Sequence, residues 1–154
     1  MYDRIIITDN IDTASDLNKR ELAVLWDKEH DKENIISIPK YLDDNKFQVR
    51  KEFLQVLHDI EISNINGKSI LKHLEIEDNF SYWWLTSLGQ AEPFSNGKNI
   101  YEIIKLICLK NILDKYQFND LIVDLKEAKN FKTIHNSLIG KNIKFRINIS
   151  SKRK

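Results

Sequence analysis

The sequence predicts an α/β fold: a mostly parallel sheet flanked by helices, with an extended helical crossover in the middle. Three observations predict it. Short β-branched or apolar runs at 4–8, 34–38, 120–125 and 143–149 read as strands. Longer segments with helical spacing separate them, which implies βα units. The middle of the chain, between the second and third of these strands, holds three or four helical segments.

The elements follow in order. Arg4-Ile5-Ile6-Ile7-Thr8 is a buried first strand, closed by Asp9-Asn10. Asp12 or Thr13 then caps a helix over roughly 13–26, with Ala14, Leu17, Leu22 and Leu25 loosely on one side; the run Leu22–Trp26 suits a strand equally well. A charged loop leads to the second strand at 34–38, stopped by Pro39. The spacing of Phe47, Phe53, Leu54, Leu57 and Ile60 predicts a core-facing helix near 45–60. Asn66-Gly67 is a turn, and a short helix follows over about 68–75. Residues 80–88 read as helix, broken at Gly89 into a loop through Pro93 and on to Gly97. Helix 99–115 is apolar nearly all round, so it is buried on most sides. Strand 120–125, helix 127–139 and strand 143–149 form the clearest βαβ unit. Residues 1–150 read as one domain and 151–154 as a basic tail.

Composition limits the function. With 154 residues, 42% apolar and 31% charged, the chain is long enough for a real core and is not of disordered type. A balance of 24 Lys and Arg against 23 Asp and Glu removes the electrostatic argument for nucleic acid. No apolar run is long enough for a transmembrane segment, and the start of the chain lacks the regions of a secretory signal. The expected location is cytoplasmic, either free or peripheral to the inner membrane.

Several motifs fall short. Gly67-Lys68-Ser69 looks like the end of a phosphate loop, but Ile62 stands where the first Gly is needed; a turn feeding a helix is the better reading. There is no G-x-G-x-x-G fingerprint, so no dinucleotide cofactor is expected, and no other cofactor is. Asp9 and Asp124 end strands, a pattern shared with phosphoacceptor receiver domains, yet Asp124 comes too late in the chain for that assignment. His30, His58, His73 and His135 have no two members at metal-ligand spacing, and Cys108 is a lone thiol in the most apolar helix, so no metal is expected. Ser81, Ser87 and Ser95 lack the G-x-S-x-G elbow of a serine nucleophile.

The run Tyr82-Trp83-Trp84 is the best candidate for function. Neighbours on a helix point about 100° apart, so the two indoles cannot both enter one core. One packs inward while the other, or Tyr82, lines a groove where a flat face stacks on a sugar ring or base. Ser87, Gln90 and Glu92 supply polar groups close by. The competing reading makes both Trp residues core between two layers.

The segment Tyr82-Trp83-Trp84-Leu85-Thr86-Ser87-Leu88, with Ile100-Tyr101-Glu102-Ile103-Ile104-Lys105-Leu106 after the loop, resembles bacterial surface carbohydrate biosynthesis proteins. Ile36-Ser37-Ile38-Pro39, Tyr41-Leu42 and Val49-Arg50 are similar as well. Those proteins look like glycosyltransferases of the two-Rossmann-domain (GT-B) type. The resemblance implies a Rossmann-like fold and an N-terminal, acceptor-side domain, since members of the family are several times longer. It implies a saccharide acceptor as partner and, through a second domain outside this chain, a nucleotide-sugar. It also implies a loop carboxylate as general base, for which Glu92 is the candidate, because the amide of Gln90 cannot take a proton. Tyr82, Trp83, Trp84, Ser87 and Gln90 would bind substrate. Asp9 and Asn10 join them, because open α/β sheets place ligands at the carboxyl ends of their strands. The alternative is a non-catalytic α/β binding or interaction module, with helix 99–115 partly serving an interface.

Overall fold

The structure is a computed structural model that describes residues 2–15, 17–86, 88–90, 98–125 and 144–147. Its centre is a five-stranded parallel sheet of β1 (Arg4–Thr8), β2 (Glu21–Leu25), β3 (Ile35–Ser37), β8 (Asp120–Asp124) and β9 (Lys144–Ile147). The strands lie in the order β3-β2-β1-β8-β9. The chain builds outward from β1 to β3, then returns to place β8 on the other side of β1. This is the order of a Rossmann-like, doubly wound sheet.

Why these residues form strands is visible in their burial. Ile5, Ile7, Leu22, Ala23, Val24, Leu25, Leu121 and Val123 are all at most 2% exposed, as expected of a sheet covered on both faces. The expected helix over 13–26 is corrected here. The helix α1 is short (Ile11–Ser15), and 21–25 is β2, paired in parallel with β1 from Arg4–Glu21 to Thr8–Leu25. A helix would send the five consecutive residues Leu22–Trp26 in every direction, whereas a central strand buries all of them. Ala14 of α1 packs on Ala23 and Leu25, with Leu17 and Ile35 at the margin.

The segment between β3 and β8 contains α2 (Ile38–Asp44), α3 (Lys46–Ile62), α4 (Ile70–His73) and α5 (Lys98–Lys115). It also contains two small antiparallel hairpins, β4 (Asn64–Ile65) with β5 (Lys68–Ser69) and β6 (Glu75–Glu77) with β7 (Phe80–Ser81). The predicted helix at 68–75 is therefore a hairpin arm followed by one turn of helix. Asn66 and Gly67 at φ 52° and 87° close the first hairpin, and Ser69 Oγ accepts from Lys72 N to cap α4. Of residues 80–88, predicted helical, Phe80–Ser81 are β7 and Tyr82–Leu85 a 3₁₀ turn. Asn79, at φ 66°, makes the tight reversal that a helix there would not permit.

The chain divides into two compact units, residues 1–44 with 108–154, and residues 45–107. The second has its own core, in which Phe53 and Leu57 of α3 meet Ile100 of α5, bordered by Leu88, Ile103, Ile104 and Ile107. The single stripe expected on α3 splits: Val49, Phe53 and Leu57 are buried, while Phe47 and Leu54 are 81% and 46% exposed. Six residues separate Phe47 from Phe53, about 240° of rotation, so they cannot share a face. Strand 143–149 is represented by β9, parallel to β8 as expected. The expected helix 127–139 and tail 151–154 lie outside the described residues.

Candidate functional site

Asp9 and Asn10 belong to the first unit, and the aromatic run belongs to the second. In the first unit the strand order reverses between β1 and β8. The two strands run in register from Arg4–Asp120 to Thr8–Asp124. Their carboxyl ends therefore place Asp124, and Asp9 one residue past its partner Thr8, on one edge, at the switch point where doubly wound sheets bind ligands. Sequence reasoning named both residues but had no means of pairing β1 with β8.

Hydrogen bonds fix this edge. Thr8 is fully buried; its carbonyl accepts from Trp26 N at 3.2 Å and its Oγ1 from Asn10 N at 3.0 Å. Asn10 Oδ1 accepts from Asp12 N at 3.0 Å, and its carbonyl accepts from Ala14 N. The Asn10 oxygen is thus committed to opening α1, and its Nδ2 is not used in that cap. Ser37 Oγ at the end of β3 accepts from Lys40 N in the same manner, opening α2. At the ends of β1 and β8 stand two acidic residues, Asp9 and Asp124, both half-buried. Carboxylates there suit hydroxyl and ammonium donors and disfavour phosphate.

The amino edge of the same sheet carries charges of both signs. Arg4 lies between its two register partners, 3.1 Å from Glu21 and 4.0 Å from Asp120. Arg20 is 3.8 Å from Asp3. These residues line a cleft of about 270 Å³. Its charges compensate one another across the strands, which fits a role in holding the strand register.

In the second unit the aromatic run is built on the β6–β7 hairpin. Lys72 Nζ bonds both Glu75 oxygens at 2.8 and 3.0 Å, and Glu75 Oε1 also accepts from Asn79 N. The Lys72 hydrogen bond, helped by the Asn79 amide and the nearby Lys68 charge, holds the Glu75 carboxyl below its ordinary range. Ser81 Oγ donates to Leu71 O at 2.8 Å and accepts from Trp83 N. Tyr82 N donates to Leu74 O at 2.7 Å.

The turn that follows is just as constrained. Thr86 Oγ1 donates to Trp83 O at 2.7 Å and accepts from Gly89 N at 3.0 Å. Gly89 lies so close to the Trp83 carbonyl that a Cβ at 89 would overlap its oxygen and stand 2.9 Å from its carbon. Gln90 is exposed, and its N donates to Thr86 O.

A 3₁₀ turn advances about 120° per residue. With Trp83 inward, at 5% exposed, Trp84 and the eclipsed pair Tyr82 and Leu85 take the two outward directions. They are 43%, 52% and 53% exposed. The indoles diverge, so the reading that puts both in the core does not hold. Tyr82 with Leu85, and Trp84, thus point outward in two directions about 120° apart, and Trp83 is the residue that anchors the turn. Ser87 and Glu92 lie outside the described residues.

One residue escaped sequence reasoning. Lys105 is buried within α5, its side chain 4% exposed, with its ammonium 2.8 Å from Glu102 and 4.8 Å from the Tyr101 ring centroid. The signal was a single Lys inside the apolar run Ile103–Ile107.

Among the described residues, no group of three or more His, Cys, Asp or Glu side chains is arranged to hold a metal ion, and no helix is long and apolar enough to cross a membrane. Comparison with protein-family models, with curated proteins and with solved structures finds no match to this chain.

Proposed function

We propose that this chain is the acceptor-side, N-terminal part of a glycosyltransferase-like protein of bacterial surface carbohydrate biosynthesis. The observation that carries this reading is the outward indole of Trp84 on a hydrogen-bonded turn, with Tyr82 exposed two residues before it. An exposed indole held by backbone bonds on both sides loses little entropy when a sugar ring stacks on it. The Rossmann-like unit adds support, because open α/β sheets place ligands at the carboxyl ends of their strands, where Asp9 and Asp124 stand. In this reading the saccharide acceptor stacks on Trp84. Glu92 takes the proton of the attacking hydroxyl. A second domain supplies the nucleotide-sugar, for which this chain has no phosphate-binding loop.

Trp84 gives a direct test. It is the one exposed indole of three, since Trp26 and Trp83 are each 5% exposed. A saccharide that stacks on it should protect it from collisional quenching by acrylamide. Titration with a panel of oligosaccharides should yield at least one that lowers the quenching constant, and Trp84→Ala should abolish that response. If no saccharide changes the quenching of Trp84 at millimolar concentration, the reading falls.

A further inference from the structure

The outer face of α3 is a stripe with no cover in its own unit. Phe47, Leu54 and Ile62 are 81%, 46% and 56% exposed, although Val49, Phe53 and Leu57 already bury the opposite face. The three recur at intervals of seven and eight residues, so they fall within an arc of about 80° on one side of the helix. Between Phe47 and Leu54 lies a shallow hollow of about 400 Å³, lined also by Arg50, Lys51 and Gln55.

Charge is distributed unevenly along this helix. Its first half carries Lys46, Arg50 and Lys51 against the single Glu52, and its last part carries Asp59 and Glu61. Helical geometry puts Arg50 and Glu61 on one flank of the stripe. Lys51 and Asp59 fall on the other flank, and the exposed His58 lies between Leu54 and Ile62.

A helix with an apolar stripe, a basic first half and an acidic last half on the same flanks is complementary to itself when reversed. We infer that the outer face of α3 is a contact between two copies of this chain, paired antiparallel about a two-fold axis near Leu54. In that pairing Phe47 of each copy meets Ile62 of the other, and Leu54 meets its counterpart. Arg50 faces Glu61 and Lys51 faces Asp59, giving four ion pairs in all. Such a contact is isologous: every residue is used twice, and the assembly closes at two. The charges also oppose the parallel arrangement, which would set like against like. One helix from each copy makes a small interface, so the dimer is concentration-dependent, with dissociation on the order of 10–100 μM. Gln55 donates to Asp59 Oδ1 at 2.8 Å within each copy and holds that carboxylate on its flank.

The test is sedimentation equilibrium from 5 to 500 μM on the full chain and two charge-reversed variants. The double variant Arg50→Glu with Lys51→Glu, and the double variant Asp59→Lys with Glu61→Lys, should each lose self-association by at least tenfold. Mixed one to one, they should associate again, because all four pairs are complementary in the heterodimer. A folding defect would not be repaired by mixing, and far-UV circular dichroism of each variant checks the helix. Phe47→Asp should weaken the wild-type dimer as well. A wild-type chain that stays monomeric at 500 μM overturns the inference. So does a dimer indifferent to Phe47→Asp, or a mixture of the two charge variants that stays monomeric. A monomer that instead binds anionic vesicles through Phe47 overturns it in favour of a lipid surface.

Discussion

Truncating the two adjacent tryptophans one at a time separates the anchor from the presenting face. Trp83 is 5% exposed, and its removal leaves a cavity beneath the 3₁₀ turn. Loss of a buried aromatic costs about 3–5 kcal/mol. Trp84 is 43% exposed. The covered part of its indole is on the order of 100 Å², worth about 2.5 kcal/mol at about 25 cal/mol per Å². That is an upper value, because the unfolded chain already covers part of this surface and water fills the space left behind. Trp83→Ala should therefore cost more than Trp84→Ala, about 3–5 kcal/mol against at most about 2.5. Urea unfolding followed by fluorescence reads both, with Trp26 reporting the first unit and the remaining indole the second. Acrylamide gives an independent measure. The wild-type signal should contain one accessible component, which Trp84→Ala removes and Trp83→Ala, where it folds, retains. Equal stability losses for the two variants, with no accessible component in the wild type, would refute the divergence and with it the presenting face.

Two further outcomes test the frame around that face. Gly89→Ala should destabilise the second unit by about 1–3 kcal/mol, as overpacking does, because its Cβ would overlap the Trp83 carbonyl oxygen; a thermal melt unchanged from wild type would contradict this close approach. Glu75 titrates below its ordinary value of 4.5, chiefly through its hydrogen bond with Lys72. The support it gives the hairpin is then present above the unfolded-state pKa and lost as pH falls through the lower folded value. Lys72→Ala should raise the Glu75 pKa, as read by carboxyl-carbon NMR titration, and a Glu75 that titrates identically in the variant would show that another group sets its value.

The strands that the sequence made legible are those whose residues leave one option. Ile5-Ile6-Ile7 and Leu121-Ile122-Val123 are β-branched or apolar and short, and both were bounded to within a residue. Leu22-Ala23-Val24-Leu25 was ambiguous because Leu and Ala are good helix formers and a fully buried strand shows no alternation. The neighbours on either side decide that segment, and they are far away in the chain. The two hairpins were missed for a different reason. Strands of two or three residues bury too little to leave a pattern, although Asn66-Gly67 is a strong hairpin signal in its own right. On α3 the error was one of counting: Phe47 and Leu54 carry the right residue types at the wrong angle.

The candidate site divides along the same line. That adjacent indoles must diverge follows from local geometry, and it holds for a 3₁₀ turn as for an α-helix. Which of them is outward depends on Ser81, Thr86 and Gly89, whose bonds set the phase of the turn. That Asp9 and Asp124 share one edge depends on strand order, which no local pattern encodes. The distribution of surface carries the argument one step further. Among the described residues, all ten exposed large apolar side chains fall between Phe47 and Tyr101, within the second unit. The described residues of the first unit include no exposed large apolar side chain, and polar atoms stand at both sheet edges. A segment that was only a crossover between β3 and β8 would have no reason to differ from the sheet it serves. Contiguous exposed apolar surface is the kind that marks interaction sites. Here it has two separate forms, an outward indole on a pinned turn and a charged, self-complementary helix, and a saccharide ring and a second copy of the chain make different demands on each.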